Sequence, residues 1–243
     1  MDRVAGKRAV VTASGGKMGG AIALRLAQEG ANVVLNDLVP GLTSSYAEQI
    51  RALGREVIEV DGDVTDRAAA EAVVGAAIDR WGGVDILVNN VGGMKGPYTH
   101  ELADITEDSW DNTMRINLRW TFLCSQLAVP GMIERKSGKI VNIASTAWAG
   151  GVSPYSVSKA GVVSFTRGLA DELAIHHINV NAVAPGATQT RVQYGEEILP
   201  RIPMRRVNEP SDIANTVLFL ASEEARQISG QLVIVAGGAN PSL

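Results

Sequence analysis

Tyr155 and Lys159 stand four positions apart in the segment Tyr155-Ser156-Val157-Ser158-Lys159, a spacing that puts both side chains on one face of a helix. A phenol, with a free pKa of about 10, is a poor base near neutral pH, but a neighbouring ammonium stabilises the phenolate and lowers that value. By itself Tyr-x-x-x-Lys is a common chance spacing, met most often where a surface tyrosine packs on a lysine stem. Ser145 changes its weight. It follows the strand-like run Lys139 to Ala144, where a hydroxyl can donate to a carbonyl oxygen as charge builds there. The three side chains together suit proton movement at the oxygen of a carbonyl or alcohol.

A second group of residues suits a dinucleotide. The run Ala9-Val10-Val11-Thr12 leads into Ala13-Ser14-Gly15-Gly16-Lys17-Met18-Gly19-Gly20 and then a helical pattern, so the N–H groups of a helix start face whatever anion lies beyond the turn. Asp37 directly follows the next strand, where a carboxylate can accept hydrogen bonds from the adenosine ribose hydroxyls. An aspartate there favours NAD. The 2′-phosphate of NADP would meet it at a cost of about 4 kcal/mol per close charge pair, taking an effective dielectric near 20. Lys17 can be read as a ligand of the pyrophosphate or as a partner for a 2′-phosphate, which keeps NADP as the second candidate.

The elements that must position these groups alternate along the chain. Strand-like runs at Ala9 to Thr12, Asn32 to Leu35, Glu56 to Val60, Asp85 to Asn89, Lys139 to Ala144, Ile178 to Val183 and Leu232 to Val235 have the apolar centres of a parallel sheet covered on both faces. Helical spacing appears between them, at Met18, Ile22 and Leu26, at Val73, Ala77 and Trp81, and at Val162, Phe165, Leu169 and Leu173. No linker, repeat or low-complexity segment divides the chain. The expected architecture is a doubly wound α/β sheet of Rossmann type in one domain, residues 1–243, with ligands at the carboxyl ends of the strands. Long helices are expected over about Ser109 to Glu134 and Tyr155 to Ala174. Glu209-Pro210-Ser211-Asp212 marks a helix start. The loop before it, 191–204, with Arg191, Gln193, Tyr194, Glu196, Glu197 and Arg201, is expected to cover the substrate.

Composition excludes several classes. The 243 residues carry a net charge of −4 and no basic run, so no nucleic-acid footprint is visible. Neither a signal segment nor a membrane span is legible, which suggests a cytoplasmic protein. The single cysteine, Cys124, sits in an apolar run and reads as a buried, inert thiol. His100, His176 and His177 are the only histidines, and their spacing matches no metal site; no metal is expected.

The motifs together resemble the short-chain dehydrogenase/reductase family, over essentially the whole chain. They are the glycine turn at Thr12 to Gly19, Asp63-Val64, Asn89-Asn90-Val91-Gly92, Asn117, Ser145, Tyr155-x-x-x-Lys159, Pro185-Gly186 and Thr190. The resemblance implies that Tyr155 is the proton donor or acceptor, that Lys159 lowers its pKa and holds the nicotinamide ribose, that Ser145 orients the substrate oxygen and that Asn117 supports a water relay. It further implies that Asp63 and Val64 contact the adenine, that Asn90 steadies the central strands, and that Thr188 and Thr190 reach the carboxamide and phosphate. Ser14, Gly15, Lys17, Met18, Gly19, Gly92, Pro185 and Gly186 complete the cofactor set. The implied activity is interconversion of a secondary alcohol and a ketone on a small or medium-sized substrate by a homotetramer. The alternatives are an NADPH-dependent 3-oxoacyl thioester reductase docking its carrier at Arg201, Arg205 and Arg206, or a non-catalytic dinucleotide-binding relative. Ala13 and Lys17 depart from the family's glycines, Val91 and Ala236 from its usual Ala and Asp, and the interval from Ser145 to Tyr155 is shorter than is common.

Overall fold

The computed structural model describes residues 2–93, 101–190 and 194–239. Seven strands form one parallel sheet: β1 (Arg8–Val11), β2 (Asn32–Asp37), β3 (Val57–Asp61), β4 (Ile86–Asn89), β5 (Gly138–Ile143), β6 (Ile178–Pro185) and β7 (Leu232–Val235). Their order across the sheet is β3-β2-β1-β4-β5-β6-β7. The chain reverses its direction of travel between β1 and β4, which opens a crevice beyond the carboxyl ends of those two strands. This is the Rossmann-type architecture expected from the alternating pattern.

The helices α1 (Lys17–Gln28), α2 (Ser44–Ala52) and α7 (Pro210–Ala221) cover one face of the sheet. Ile22, Ala23 and Leu26 of α1 meet Ile213, Val217 and Leu218 of α7 over Val11, Val88 and Val141. The other face is covered by α3 (Arg67–Trp81), α5 (Trp120–Arg135) and α6 (Pro154–Leu173), with Val73, Trp120, Leu123, Met132 and Leu173 packed on Val10, Leu87, Ile140 and Val180. Each fully buried aliphatic side chain contributes about 1.5–3 kcal/mol relative to exposure; truncating Leu26 to alanine would cost about 2–5 kcal/mol because the neighbours cannot close the gap.

Side-chain caps start several of the helices. The Asp66 carboxylate accepts from the amides of Ala68 and Ala69 at the start of α3, and left-handed Gly82 ends that helix. Ser153 accepts from Ser156 N–H ahead of Pro154 in α6. At α7, Glu209 and Asp212 form the reciprocal capping box, as the Glu-Pro-Ser-Asp sequence predicts.

One expected helix is not regular. The stretch from Ser109 to Glu134 divides into α4 (Glu107–Met114), a π-helical turn at Arg115–Arg119, and α5. The cause is Asn117, whose Nδ2 donates to Thr113 O at 2.9 Å. That carbonyl is the acceptor an α-helical Asn117 amide would use, so the ladder must step over it.

Candidate active site

The turn after β1 is held from behind. Ala13 has a φ of +50°, a left-handed conformation that strains any residue with a Cβ. Asn90 keeps it there: its Nδ2 donates to both Thr12 O and Ala13 O at 3.1 Å, and its backbone amide donates to Thr12 Oγ1 at 3.1 Å. A Cβ on Gly19 would collide with Ala13 O and Asn90 Nδ2; the bare glycine lets α1 sit directly on the turn. Ser14 is fully buried, and its hydroxyl donates to Asn36 O at 3.2 Å while accepting from Asn36 N–H at 3.0 Å. Ser14 therefore fastens the turn to β2 and does not face the crevice.

Beyond the turn lies a cleft of about 510 Å³. Of the residues singled out in the sequence, Lys17, Met18, Gly19, Asp37, Asp63, Val64, Asn90, Gly92 and Thr190 line it. Asp37, only 8% exposed, accepts from Gly15 N–H at 3.1 Å through Oδ2 and from Val39 N–H at 3.2 Å through Oδ1. A Cβ on Gly15 would strike this carboxylate and Leu42; Gly15, like Ser14, shapes the wall from outside the cleft. Lys17 is exposed at the first position of α1; among the described residues no hydrogen bond or ion pair holds it. The Asp63 Oδ1 accepts from Thr65 N–H at 3.0 Å and from Thr65 Oγ1 at 2.7 Å. Thr65, Arg115 and Ile116 also line the cleft, although nothing in the sequence marked them beyond their nearness to Asp63 and Asn117.

The second cluster is built on α6 and β5. Lys159 is 2% exposed. Its Nζ donates to Ile143 O at 3.0 Å and lies 5.7 Å from the centroid of the Tyr155 ring. Burial pushes its ammonium down to about 8, so it still carries its charge at neutral pH. Gly92 passes so close that a Cβ would stand 2.7 Å from Nζ and 3.2 Å from Asn117 Oδ1. This ties the cleft's wall to the catalytic candidates. Ser145 follows β5 and its Oγ accepts from Ala147 N–H at 3.2 Å, which leaves the hydroxyl proton as the donor. Asn117 is fully buried; its Oδ1 accepts from Gly93 N–H at 3.1 Å and its Nδ2 donates to Gly93 O at 2.7 Å.

On the far side, Pro185 ends β6. Thr188 is buried, its hydroxyl donating to Gly186 O at 2.9 Å. A Cβ on Gly186 would meet the Ala236 Cβ at 2.8 Å. In the segment expected to cover the substrate, the described residues contain a 3-10 turn at Glu196–Arg201, and Met204 N–H donates to Gly237 O at 2.9 Å. Arg206 is engaged by Asp212 at 2.7 and 2.9 Å, and Arg205 reaches Leu199 O. Arg191, Gln193 and His100 lie outside the described residues. Cys124 is buried, which pushes its thiol up to about 12. Among the described residues there is no metal-binding cluster of His, Cys, Asp or Glu, and no helix is long and apolar enough to cross a membrane.

The residues present fit a dinucleotide. The first turn of α1 borders the cleft through Lys17, Met18 and Gly19, where helix N–H groups suit an anion, and the Asp37 carboxylate stands at the end of β2. Comparison with known proteins agrees. A family model described as Enoyl-(Acyl carrier protein) reductase matches residues 13–240. The chain is similar to the BbsD subunit of (2S)-[(R)-hydroxy(phenyl)methyl]succinyl-CoA dehydrogenase from Thauera aromatica, 42% identical over 238 residues and covering 95% of each chain. It is also similar to the 3-oxoacyl-[acyl-carrier-protein] reductase FabG of Staphylococcus aureus, 36% identical over 242 residues, covering 96% of this chain and 97% of the relative. Among solved structures, 7 alpha-hydroxysteroid dehydrogenase complexed with NADH and 7-oxo glycochenodeoxycholic acid superposes with a TM-score of 0.92 at 34% identity, covering 100% of this chain and 97% of the other. The chain belongs to the short-chain dehydrogenase/reductase family. It is a nicotinamide-dinucleotide-dependent oxidoreductase acting on CH–OH or keto groups.

Proposed function

We propose that this enzyme uses NAD to interconvert a secondary alcohol and a ketone on a small or medium-sized organic substrate, with Tyr155 as general acid and base. The observation that carries this reading is the buried Lys159 ammonium, set between Ile143 O and the Tyr155 ring. In the reducing direction the Tyr155 hydroxyl gives its proton to the substrate oxygen, Ser145 donates a hydrogen bond to that oxygen, and Lys159 stabilises the charge left on the phenol oxygen. When bound, the nicotinamide supplies or accepts the electron pair at the adjacent carbon. Asn117 acts by holding Gly93, and with it the backbone beside Lys159. Asp63, Val64, Asn90 and Thr190 line the adenosine and phosphate part of the cleft in this reading, and Pro185, Gly186 and Thr188 stand at the nicotinamide end.

NAD is favoured over NADP because Asp37 is followed by exposed Leu38 and Val39, where a 2′-phosphate would need a cation. Cytoplasmic location and a homotetramer complete the proposal. The exposed Phe122 of α5 and Val157 of α6 offer apolar surface for assembly, which light scattering would test.

The mechanism is tested with Tyr155→Phe. Turnover on a panel of secondary alcohols should fall by about 10²–10⁴-fold while NADH binding, followed by fluorescence, stays within about twofold of wild type by the same reasoning. Turnover equal to the parent would sink the assignment.

A second reading, an acyl-thioester substrate, is supported by the thioester-linked names of the two relatives. With Arg206 held by Asp212, the docking patch it needs rests on Arg201 and Arg205. A higher kcat/KM for a 3-hydroxyacyl thioester than for its free acid would support it.

A further inference from the structure

The π-helical turn faces two parts of the site at once. Asn117, in its middle, grips the Gly93 backbone. Arg115, at its start, lines the dinucleotide cleft and donates through Nη1 to Thr65 Oγ1 at 2.7 Å. Arg119, at its end, reaches Thr65 O at 3.4 Å. The Thr65 hydroxyl in turn donates to Asp63 Oδ1 at 2.7 Å, and Arg115 Nη1 lies 3.7 Å from Asp63 Oδ2. The result is a relay, Arg115 to Thr65 to Asp63, that fixes the direction of a carboxylate on the cleft wall.

This arrangement does little for the stability of the fold. Both Arg115 and Asp63 side chains are 42% exposed, and an ion pair so placed is worth about 0–1 kcal/mol. What it does is present a planar cation to the cleft, next to a carboxylate whose acceptor geometry is set by Thr65. Planar guanidinium groups attract aromatic faces, and in the reading above, with the adenosine ribose at Asp37, the aromatic base that falls at the Asp63-Val64 end of the same cleft is the purine. Resting on the dinucleotide reading above, we propose that Arg115 is a specificity-determining residue for the adenosine half of the cofactor, acting both directly and by positioning Asp63 through Thr65.

The test is calorimetry with three probes: ADP-ribose, nicotinamide mononucleotide and NADH. Arg115→Met should weaken ADP-ribose and NADH by a similar factor, about tenfold for a lost cation–aromatic contact, and leave the mononucleotide unchanged. Thr65→Val, which keeps Arg115 but cuts the relay, should weaken ADP-ribose by a smaller factor. KM for NAD should rise in both variants while kcat at saturating NAD holds, a split that a loosened fold would not give. Arg115→Gln retains a polar stem and should show the same loss, which guards against a variant that fails to fold. ADP-ribose binding within twofold of wild type in Arg115→Met and Arg115→Gln would overturn the inference alone. Failure of the wild-type protein to bind ADP-ribose or NADH would overturn the dinucleotide reading, and this inference with it.

Discussion

The ammonium of Lys159 donates to the carbonyl of Ile143, the last residue of β5, at 3.0 Å. One bond thus fixes the helix that carries Tyr155 against the strand that leads to Ser145. The two proton-handling side chains come from elements with no sequence contact, and Lys159 sets their relative position as well as supplying charge.

That lysine also gives the protein a pH signature. Its folded pKa is depressed to about 8 from an ordinary value of 10.5 by burial. Below about pH 8 it is protonated folded and unfolded, and contributes no slope. Between about 8 and 10.5 the unfolded chain binds more protons than the folded one, so stability contributed by this group rises with pH, by up to about 1.4 kcal/mol per pH unit. Urea unfolding at pH 7, 8, 9 and 10 should show this slope in the wild type and lose it in Lys159→Met. Parallel curves for the two proteins would contradict it.

Asp37 is expected to discriminate between the two nicotinamide dinucleotides. Initial rates should favour NAD over NADP in the parent, and Asp37→Ala should raise kcat/KM for NADP while lowering it for NAD. Removing a like-charge contact of a few kcal/mol corresponds to a change in preference of about 10²-fold or more. The variant also frees the Gly15 amide that Asp37 now accepts from, so its melting temperature should fall modestly. A parent enzyme that prefers NADP would show the reading to be wrong.

Ala13 holds a positive φ of +50° for which alanine pays about 1–2 kcal/mol of steric strain. Ala13→Gly should remove that strain, offset by roughly 0.4–1 kcal/mol from the greater freedom of the unfolded chain. The net expectation is a stabilisation of up to about 1.6 kcal/mol, with the dinucleotide Kd unchanged because Asn90 holds the turn from Thr12 O and Ala13 O in either case. Denaturant midpoints of the two proteins decide it.

The strands and most helices were legible because burial writes its period into the sequence: Val33, Val34 and Leu35 are apolar since helices cover both sides of β2. Tyr155, Lys159 and Ser145 were singled out from type and spacing, and the fold brings Lys159 beside the Tyr155 ring and onto the strand that leads to Ser145. Two things were not legible. The commitment of Ser14 to Asn36 depends on how far β2 extends past Leu35, a contact between neighbouring strands that no local pattern encodes. The turn at Arg115–Arg119 arises from a side chain taking a backbone acceptor, and periodicity analysis assumes that ladder intact. Arg115 and Thr65 were missed because they meet across 50 residues of sequence, a contact that no local pattern encodes.

The consequence of that opening is one of phase. Each residue in a helix turns the chain by about 100°, so the wide turn between α4 and α5 shifts the phase of the side chains that follow it. Deleting Ile116 or Leu118 would let the α-helical ladder close and swing either Arg115 away from Thr65 or Asn117 away from Gly93. At this point in the chain, residue count matters as much as residue identity: a one-residue gap would uncouple the purine end of the cleft from the proton-transfer end, though every catalytic side chain remained in the sequence.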